Sequence, residues 1–376
     1  MRILFDISLF FLLYIYFGYF ILIAILAKLF SKHIESKSGD LPFISIIIPV
    51  RNEEISIQAK IENTLNLDYP EALREILIID SDSQDGTAQM VEKYASKGVT
   101  LYRVEHLWKA YALKKAIDEF CKGEIILITD VSARLEKDVL KVAIPYLHDA
   151  QIFWITAPLS QLEDIKKWIT YSWKKYWQME RMLKKNESLF ESCVGFTWKF
   201  SLFRKRVYKG KNWYFTGDAD DLDMALFAIS NGGRVLQVDE LGVFEVAPDN
   251  HQDIINQRQR IITQTISSVN HYLSFRLPWR FLFIFISRKV LPLLSPAFVF
   301  LNVFSSLFLI SDSRLFSLPL IFFIFLLLIW VFKVQMWYLK YLYYVILLNG
   351  VICTSYLEFF SWKDYTKWEK IMSTRK

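Results

Sequence analysis

Residues 124–132 read EIILITDVS: a short apolar run closed by a threonine, an aspartate and a serine. A continuous apolar run that stops abruptly on polar residues is the pattern of a strand buried on both faces, with its carboxyl end opening into a loop. Two earlier stretches repeat it. Residues 43–50 (FISIIIPV) run into Arg51, Asn52 and Glu53, and residues 75–80 (EILIID) run into Ser81, Asp82 and Ser83. Between them, residues 55–66, 87–96 and 110–121 have helical character, the second opened by Asp85 and Gly86. This βαβαβ rhythm predicts a mainly parallel sheet covered by helices on both faces. Ligands of such sheets gather beyond the carboxyl ends of the strands. Asn52, Glu53, Asp80 and Asp130 therefore converge on one edge. Each alone reads as a turn or a helix cap, but three strand ends delivering polar groups together mark a site.

The rest of the chain explains an unusual composition. Of 376 residues, 53% are hydrophobic and 16% aromatic, too many for an ordinary soluble enzyme, and the excess sits at the two ends. Residues 7–30 are apolar or aromatic except for Lys28, long enough to cross a hydrocarbon core of roughly 30 Å as a helix. The run is too long for a signal peptide, begins after Asp6 and lacks a small-residue cleavage site. Lys28, Lys32, His33 and Lys37 cluster at its end, so the positive-inside rule puts the following domain in the cytoplasm. Toward the other end lie apolar runs at about 290–310, 316–332 and 341–360. Residues 281–294, interrupted by Ser287, Arg288, Lys289 and Pro292, have the pattern of a helix lying in the membrane interface.

The expected organisation is a transmembrane helix at 1–32, a cytoplasmic α/β domain at 42–272, a membrane region at 278–362 and a basic tail at 363–376. The membrane region comprises the interfacial helix and about three hydrophobic helices, which makes a multi-pass cell-membrane protein. The tail carries Lys363, Lys367, Lys370, Arg375 and Lys376. Its charge favours the inside, whereas one crossing before the domain and three after it would leave the tail outside. Topology at this end stays open.

The net charge of +6 fits flanking lysines that meet anionic lipid. No aromatic-interleaved basic module speaks for nucleic acid. Cys121, Cys193 and Cys353 are far apart, suiting a reducing compartment without disulfides or a thiolate metal site. Neither a G-x-G-x-x-G fingerprint nor a Walker loop occurs. Lys109, at a helix start, is within reach of a phosphate, while Lys114 and Lys115 read equally as a solvated face. Residues 165–185 place Ile165, Trp168, Ile169, Ser172, Trp173 and Tyr176 at helical spacing, with lysines between. That pattern is a helix packed on the sheet domain or touching the bilayer. Residues 217–223, GDADDLD, hold four carboxylates: a metal site, a proton acceptor or a wet loop.

From about residue 44 to 268 the chain resembles the membrane-bound family 2 glycosyltransferases, which have the GT-A nucleotide-sugar fold. SIIIPVRNEE resembles their opening strand and loop, IIDSDSQDGT the uridine-side loop, and KAYALKKAI the helix after a GK pair. TDVSARLEKD resembles the metal-binding D-x-D region, DADDLDMAL the acceptor-side acidic motif, and QRQRI the Q-x-x-R-W motif. The implied fold class is a Rossmann-like α/β GT-A catalytic domain flanked by N- and C-terminal transmembrane helices.

The resemblance implies roles residue by residue. Asp130 is the ligand of a divalent cation, Mg²⁺ or Mn²⁺, with Ser132 where a second acidic ligand is common. Hydroxyls ligate hard cations weakly. Asp80 holds the nucleoside, with Asn52 and Glu53 beside it. Lys109, Gln257, Arg258 and Arg260 face the diphosphate, for which a guanidinium fork is suited. Asp221, supported by Asp220, accepts the acceptor's proton, and Asp223 opens the following helix. Trp198 stands where a glycine is usual, and Ile261 replaces the motif's tryptophan. The implied activity is transfer of a sugar from a nucleotide-sugar donor, UDP-linked or related, with inversion. The acceptor is lipid-linked or a glycan, in cell-surface or exopolysaccharide assembly. A processive polysaccharide synthase ranks second, and a non-catalytic membrane scaffold or transporter is the reading from another class.

Overall fold

The computed structural model describes residues 1–37, 39–105, 109–161, 168–211, 220–245, 251–272, 276–321, 324–325 and 340–360. The apolar runs form β1 (Ile44–Val50), β2 (Arg74–Ser81) and β4 (Ile125–Ile128), within two residues of their expected bounds. Every residue of β1 is buried, and alternate side chains serve opposite faces. Ile44, Ile46 and Ile48 join one hydrophobic core together with Ile125 and Leu127. Ile47, Ile126 and Ile128 join the other. Burial on both faces is why these strands carry no polar alternation.

Between β2 and β4 lies a strand that the sequence reading did not name. β3 (Val99–Val104) pairs only with β2, at the sheet edge, and leaves Thr100 and Arg103 exposed. An edge strand needs less apolar surface than a central one. To reach it, the helix expected over 87–96 ends at Glu92, and Gly98, at φ +80°, turns the chain. That left-handed conformation costs glycine little.

The remaining strands are β5 (Arg134–Leu135), β6 (Ile152–Thr156), β7 (Ser160–Gln161), β8 (Ser201–Arg204), β9 (Arg234–Gln237) and β10 (Val243–Glu245). The large sheet runs β3-β2-β1-β4-β8-β6-β9, parallel except for β8, which is antiparallel to both neighbours. A small sheet, β5-β10-β7, stands beside it. In the large sheet β1 sits between β2 and β4, so the strand order reverses there. Reversal opens a crevice at the carboxyl ends, the usual ligand position of an open α/β sheet.

Among the described residues, one helix is long and apolar enough to cross a membrane: Arg2–Leu29. Its 28 residues span about 42 Å at ~1.5 Å rise per residue. A second candidate is the pair Trp279–Leu293 and Ser295–Leu309, bent by 59° at the junction. The N-terminal helix packs on this pair: Asn302 donates to the Ser8 hydroxyl at 3.0 Å, and Phe11 stacks on Phe298. The charges that interrupt residues 281–294 are partnered. Ser287 shares a 2.7 Å hydrogen bond with Tyr14, and Arg288 pairs with Glu180 and Glu187 of the Trp168–Phe190 helix. The last expected apolar run appears as the helix Lys340–Phe360. Much of the run at 316–332 and the whole tail at 363–376 lie outside the described residues.

Candidate active site

Strand β4 ends at Ile128, two residues earlier than its sequence suggests, so Asp130 stands in the loop rather than on the strand. The loop is held from two sides. The Thr129 N–H donates to the Ile47 carbonyl at 3.1 Å, and the Asp130 N–H to the Trp198 carbonyl at 2.9 Å. From beneath comes Lys60, on the helix Glu54–Leu65 and fully buried. Its ammonium donates to Thr129 Oγ1 at 2.8 Å and to the Ala133 carbonyl at 2.9 Å. The Thr129 hydroxyl in turn donates to the Lys199 carbonyl at 2.8 Å. Burial, then the nearby Arg134, push the Lys60 ammonium well below the ordinary lysine range. Lys60→Met is expected to cost about 1–3 kcal/mol, because the Ala133 carbonyl loses its buried partner. The readout is the thermal unfolding midpoint; an unchanged midpoint would mean that the lysine braces nothing.

Above the loop the charges are dense. Each Asp130 carboxylate oxygen meets a lysine: Lys109 Nζ lies 2.8 Å from Oδ1, and Lys199 Nζ 3.3 Å from Oδ2. Lys109 also sits 4.8 Å from the centre of the Trp198 ring. Lys199 donates to the Ser132 hydroxyl at 2.6 Å and pairs with Glu245 of β10, while Ser132 donates to Glu245 at 3.1 Å. Asp130, Ser132 and Glu245 thus direct three oxygens at one point, now held by an ammonium. Oxygen donors converging on a cation suit Mg²⁺ or Mn²⁺, so these residues fit the implied ion. No cluster of three or more His, Cys, Asp or Glu residues occurs among the described residues.

The neighbouring strand ends are braced internally. Asp80, buried at the end of β2, accepts from the Ser83 N–H at 3.0 Å and from its hydroxyl at 2.5 Å. Asn52 adopts φ +50°; its backbone N–H donates to Ser83 Oγ at 2.8 Å and its side-chain Oδ1 accepts from Gln84 N–H at 2.7 Å. The buried Glu53 donates its N–H to Thr87 Oγ1 at 2.7 Å. The loops after β1 and β2 therefore form one unit, and Asn52 is its clamp.

The acidic motif begins a helix, Asp220–Ser230. Asp220 therefore opens this helix, correcting the expectation for Asp223. Asp223 lies in its first turn, buried, with its carbonyl accepting from the Tyr272 hydroxyl at 3.2 Å. The side chains of Asp220, Asp221 and Gln257 and all of Asp218 lie outside the described residues.

Arg258 and Arg260 occupy the helix His251–Tyr272. Residues two apart on a helix point about 200° apart, so the two guanidinium groups do not share a face. Arg258 is buried against the Trp168–Phe190 helix, donating to Tyr176 at 3.0 Å with its guanidinium 3.9 Å from the ring centre. Buried Arg260 Nε has no hydrogen-bond partner among the described residues. The sequence reading missed Lys60, Lys199 and Glu245. Local pattern carries no sign of them, since Ser132 and Glu245 are 113 positions apart.

Known proteins resemble this chain in sequence and in fold. The family model for glycosyl transferase family 2 matches residues 45–210. A probable glycosyltransferase of Sulfolobus acidocaldarius is 29% identical over 280 residues, covering 68% of this chain and 58% of its own length. A dolichyl N-acetyl-alpha-D-glucosaminyl phosphate 3-beta-D-2,3-diacetamido-2,3-dideoxy-beta-D-glucuronosyltransferase of Methanococcus voltae is 37% identical over 103 residues, 26% of this chain and 32% of its own length. The chain thus spans less than two thirds of these curated relatives. Among solved structures, a mannosyltransferase from Pyrobaculum calidifontis in complex with GDP-Man and Mn²⁺ aligns with a TM-score of 0.73. That alignment covers 96% of this chain and 100% of the other at 20% identity, a likeness of fold. Residues 45–210 match the family 2 glycosyltransferase model, and the strand order and the aligned structure show the GT-A fold.

Proposed function

We propose that this protein transfers a sugar from a nucleotide-sugar donor, with inversion, to a lipid-linked or glycan acceptor at a membrane. The observation that carries this reading is Asp130 at the sheet's crevice, flanked by two lysines. A departing diphosphate needs positive charge positioned before the bond breaks. Lys109 and Lys199 are near enough to turn from Asp130 to phosphate oxygens, and Arg260 adds a guanidinium from the next helix. Asp130 would hold the divalent cation, which when bound neutralises the leaving diphosphate. Asp80 and the loop clamped by Asn52 form the nucleoside side, with Glu53 behind them. Asp221, in the first turn of its helix, takes the proton from the acceptor hydroxyl as that oxygen attacks the face of the sugar opposite the diphosphate. Attack from that face inverts the anomeric carbon.

The apolar helix Arg2–Leu29 supports a membrane setting, and the name of the Methanococcus relative supports a lipid-linked acceptor. The Pyrobaculum mannosyltransferase, solved with GDP-Man, brings GDP-linked sugars into consideration beside UDP-linked ones. The test is radiolabelled transfer from a panel of UDP- and GDP-sugars into membranes bearing the full chain. At least one donor is expected to label a membrane-extractable product. EDTA is expected to abolish the labelling and added Mn²⁺ or Mg²⁺ to restore it. Labelling that survives chelation removes the cation from the reaction, and a panel with neither binding nor transfer overturns the catalytic reading.

A further inference from the structure

Ser132 leaves the cation one charged ligand short, and the tertiary structure brings another carboxylate to the same place. Glu245 arrives on β10, whose pairing with β5 (Phe244 opposite Arg134) fixes it above the loop that carries Asp130. Its Oε1 accepts from the Ser132 hydroxyl at 3.1 Å. The Lys199 ammonium lies among Asp130 Oδ2, Ser132 Oγ and Glu245.

We propose that Glu245 is the second charged ligand of the divalent cation and that Lys199 holds the cation's place until it binds. The proposal rests on the transferase reading and deepens it at one site. Its first support is geometric. Three oxygens from two chain segments, the loop after β4 and strand β10, already surround one cationic centre, at 2.6 Å for the serine and 3.3 Å for Asp130. Metal–oxygen distances of about 2.0–2.2 Å for Mg²⁺ or Mn²⁺ require Asp130 to close by roughly 1.1–1.3 Å and the serine by less, within the reach of side-chain rotation.

The second support is charge. Among the described side chains, the carboxylates of Asp130 and Glu245 meet the ammonium groups of Lys109 and Lys199 here. A diphosphate adds negative charge that a divalent ion offsets, provided the ammonium between the carboxylates withdraws. Lysine suits this exchange because its charge is a single point on a flexible stem of four carbons. Once displaced, Lys199 has an incoming phosphate to pair with, so neither charge is left bare. Ser132 remains as a weak neutral ligand or as the donor that orients Glu245, the kind of supporting contact that tunes metal affinity.

The test reads Mn²⁺ binding directly, by the loss of the free-ion electron paramagnetic resonance signal, on the full chain in detergent without donor. Wild type, Glu245→Gln, Lys199→Met and Asp130→Asn are compared, each checked for an intact thermal transition. Glu245→Gln is expected to weaken Mn²⁺ binding at least about tenfold. Lys199→Met is expected to tighten it on the order of tenfold, since a competing charge is gone. Misfolding cannot produce that tightening. If Asp130→Asn weakens binding while Glu245→Gln and Lys199→Met bind as wild type, the proposal is overturned and the transferase reading stands. If wild type binds no Mn²⁺ yet transfers sugar, this proposal fails alone. Absence of both binding and transfer overturns the two together.

Discussion

Asp221→Asn is expected to lower the rate of sugar transfer by about 10²–10⁴-fold, the usual contribution of a positioned general base, with donor binding preserved. The acceptor hydroxyl is a poor nucleophile until its proton begins to leave. An asparagine at position 221 keeps the shape of the side chain and removes its basicity. Single-turnover transfer and equilibrium binding of the same nucleotide sugar separate the two effects. Transfer by Asp221→Asn at the wild-type rate would exclude this residue as the base, and equal loss of donor binding would place it on the donor side instead.

Arg288→Met is expected to lower stability by about 3–5 kcal/mol, the scale for removing one partner of a buried ion pair. Arg288 contacts Glu180 at 2.5 Å and Glu187 at 3.3 Å, and both carboxylates are buried. The two respond differently to enclosure. For Glu180, burial disfavours the charge, but the close guanidinium outweighs it and holds the carboxyl below its ordinary range. For Glu187, deeper and farther from the fork, burial wins and the carboxyl is raised, despite Arg288 and hydrogen bonds from Tyr19 at 2.9 Å and Val194 N–H at 3.2 Å. Glu180 also accepts from Tyr176 at 2.6 Å, the ring on which Arg258 rests. One polar chain therefore joins Tyr19 of the N-terminal helix, the helix carrying Arg288 and the helix carrying Arg258. Methionine at 288 leaves two acidic groups enclosed without their cation. Adding Glu180→Gln and Glu187→Gln is expected to recover much of the loss, since the uncompensated charge is then gone. A thermal unfolding midpoint for Arg288→Met equal to wild type in detergent would show that water reaches the site.

The Arg258 contact also shows where a motif reading stops. QRQRI suggests a set of residues facing one ligand, but helical geometry divides it. Arg258 turns to the Trp168–Phe190 helix, while Arg260, two positions on, points to another face. The motif marked the right helix without assigning its sides. Asp223 teaches the same lesson: four clustered carboxylates look alike as a string, yet the helix buries Asp223 beneath Tyr272 and starts at Asp220.

What the sequence by itself determined was everything encoded in neighbouring residues. The apolar runs at β1, β2 and β4 determined a parallel sheet buried on both faces, because strand burial is written in consecutive residues. Residues 7–30 marked the N-terminal apolar helix in the same way. The strand ends pointed to Asp80 and Asp130, because a parallel sheet places all its carboxyl ends together. Only the tertiary structure decided what Asp130 meets. Lys60 comes from the first helix of the sheet domain, Lys199 from the approach to β8, and Glu245 from a short strand of the small sheet. Their convergence depends on β8 lying beside β4 and β10 beside β5. Such pairings join residues far apart in the chain and leave no periodic trace in it, so a site whose fold was legible kept half of its charges hidden until the strands were in order.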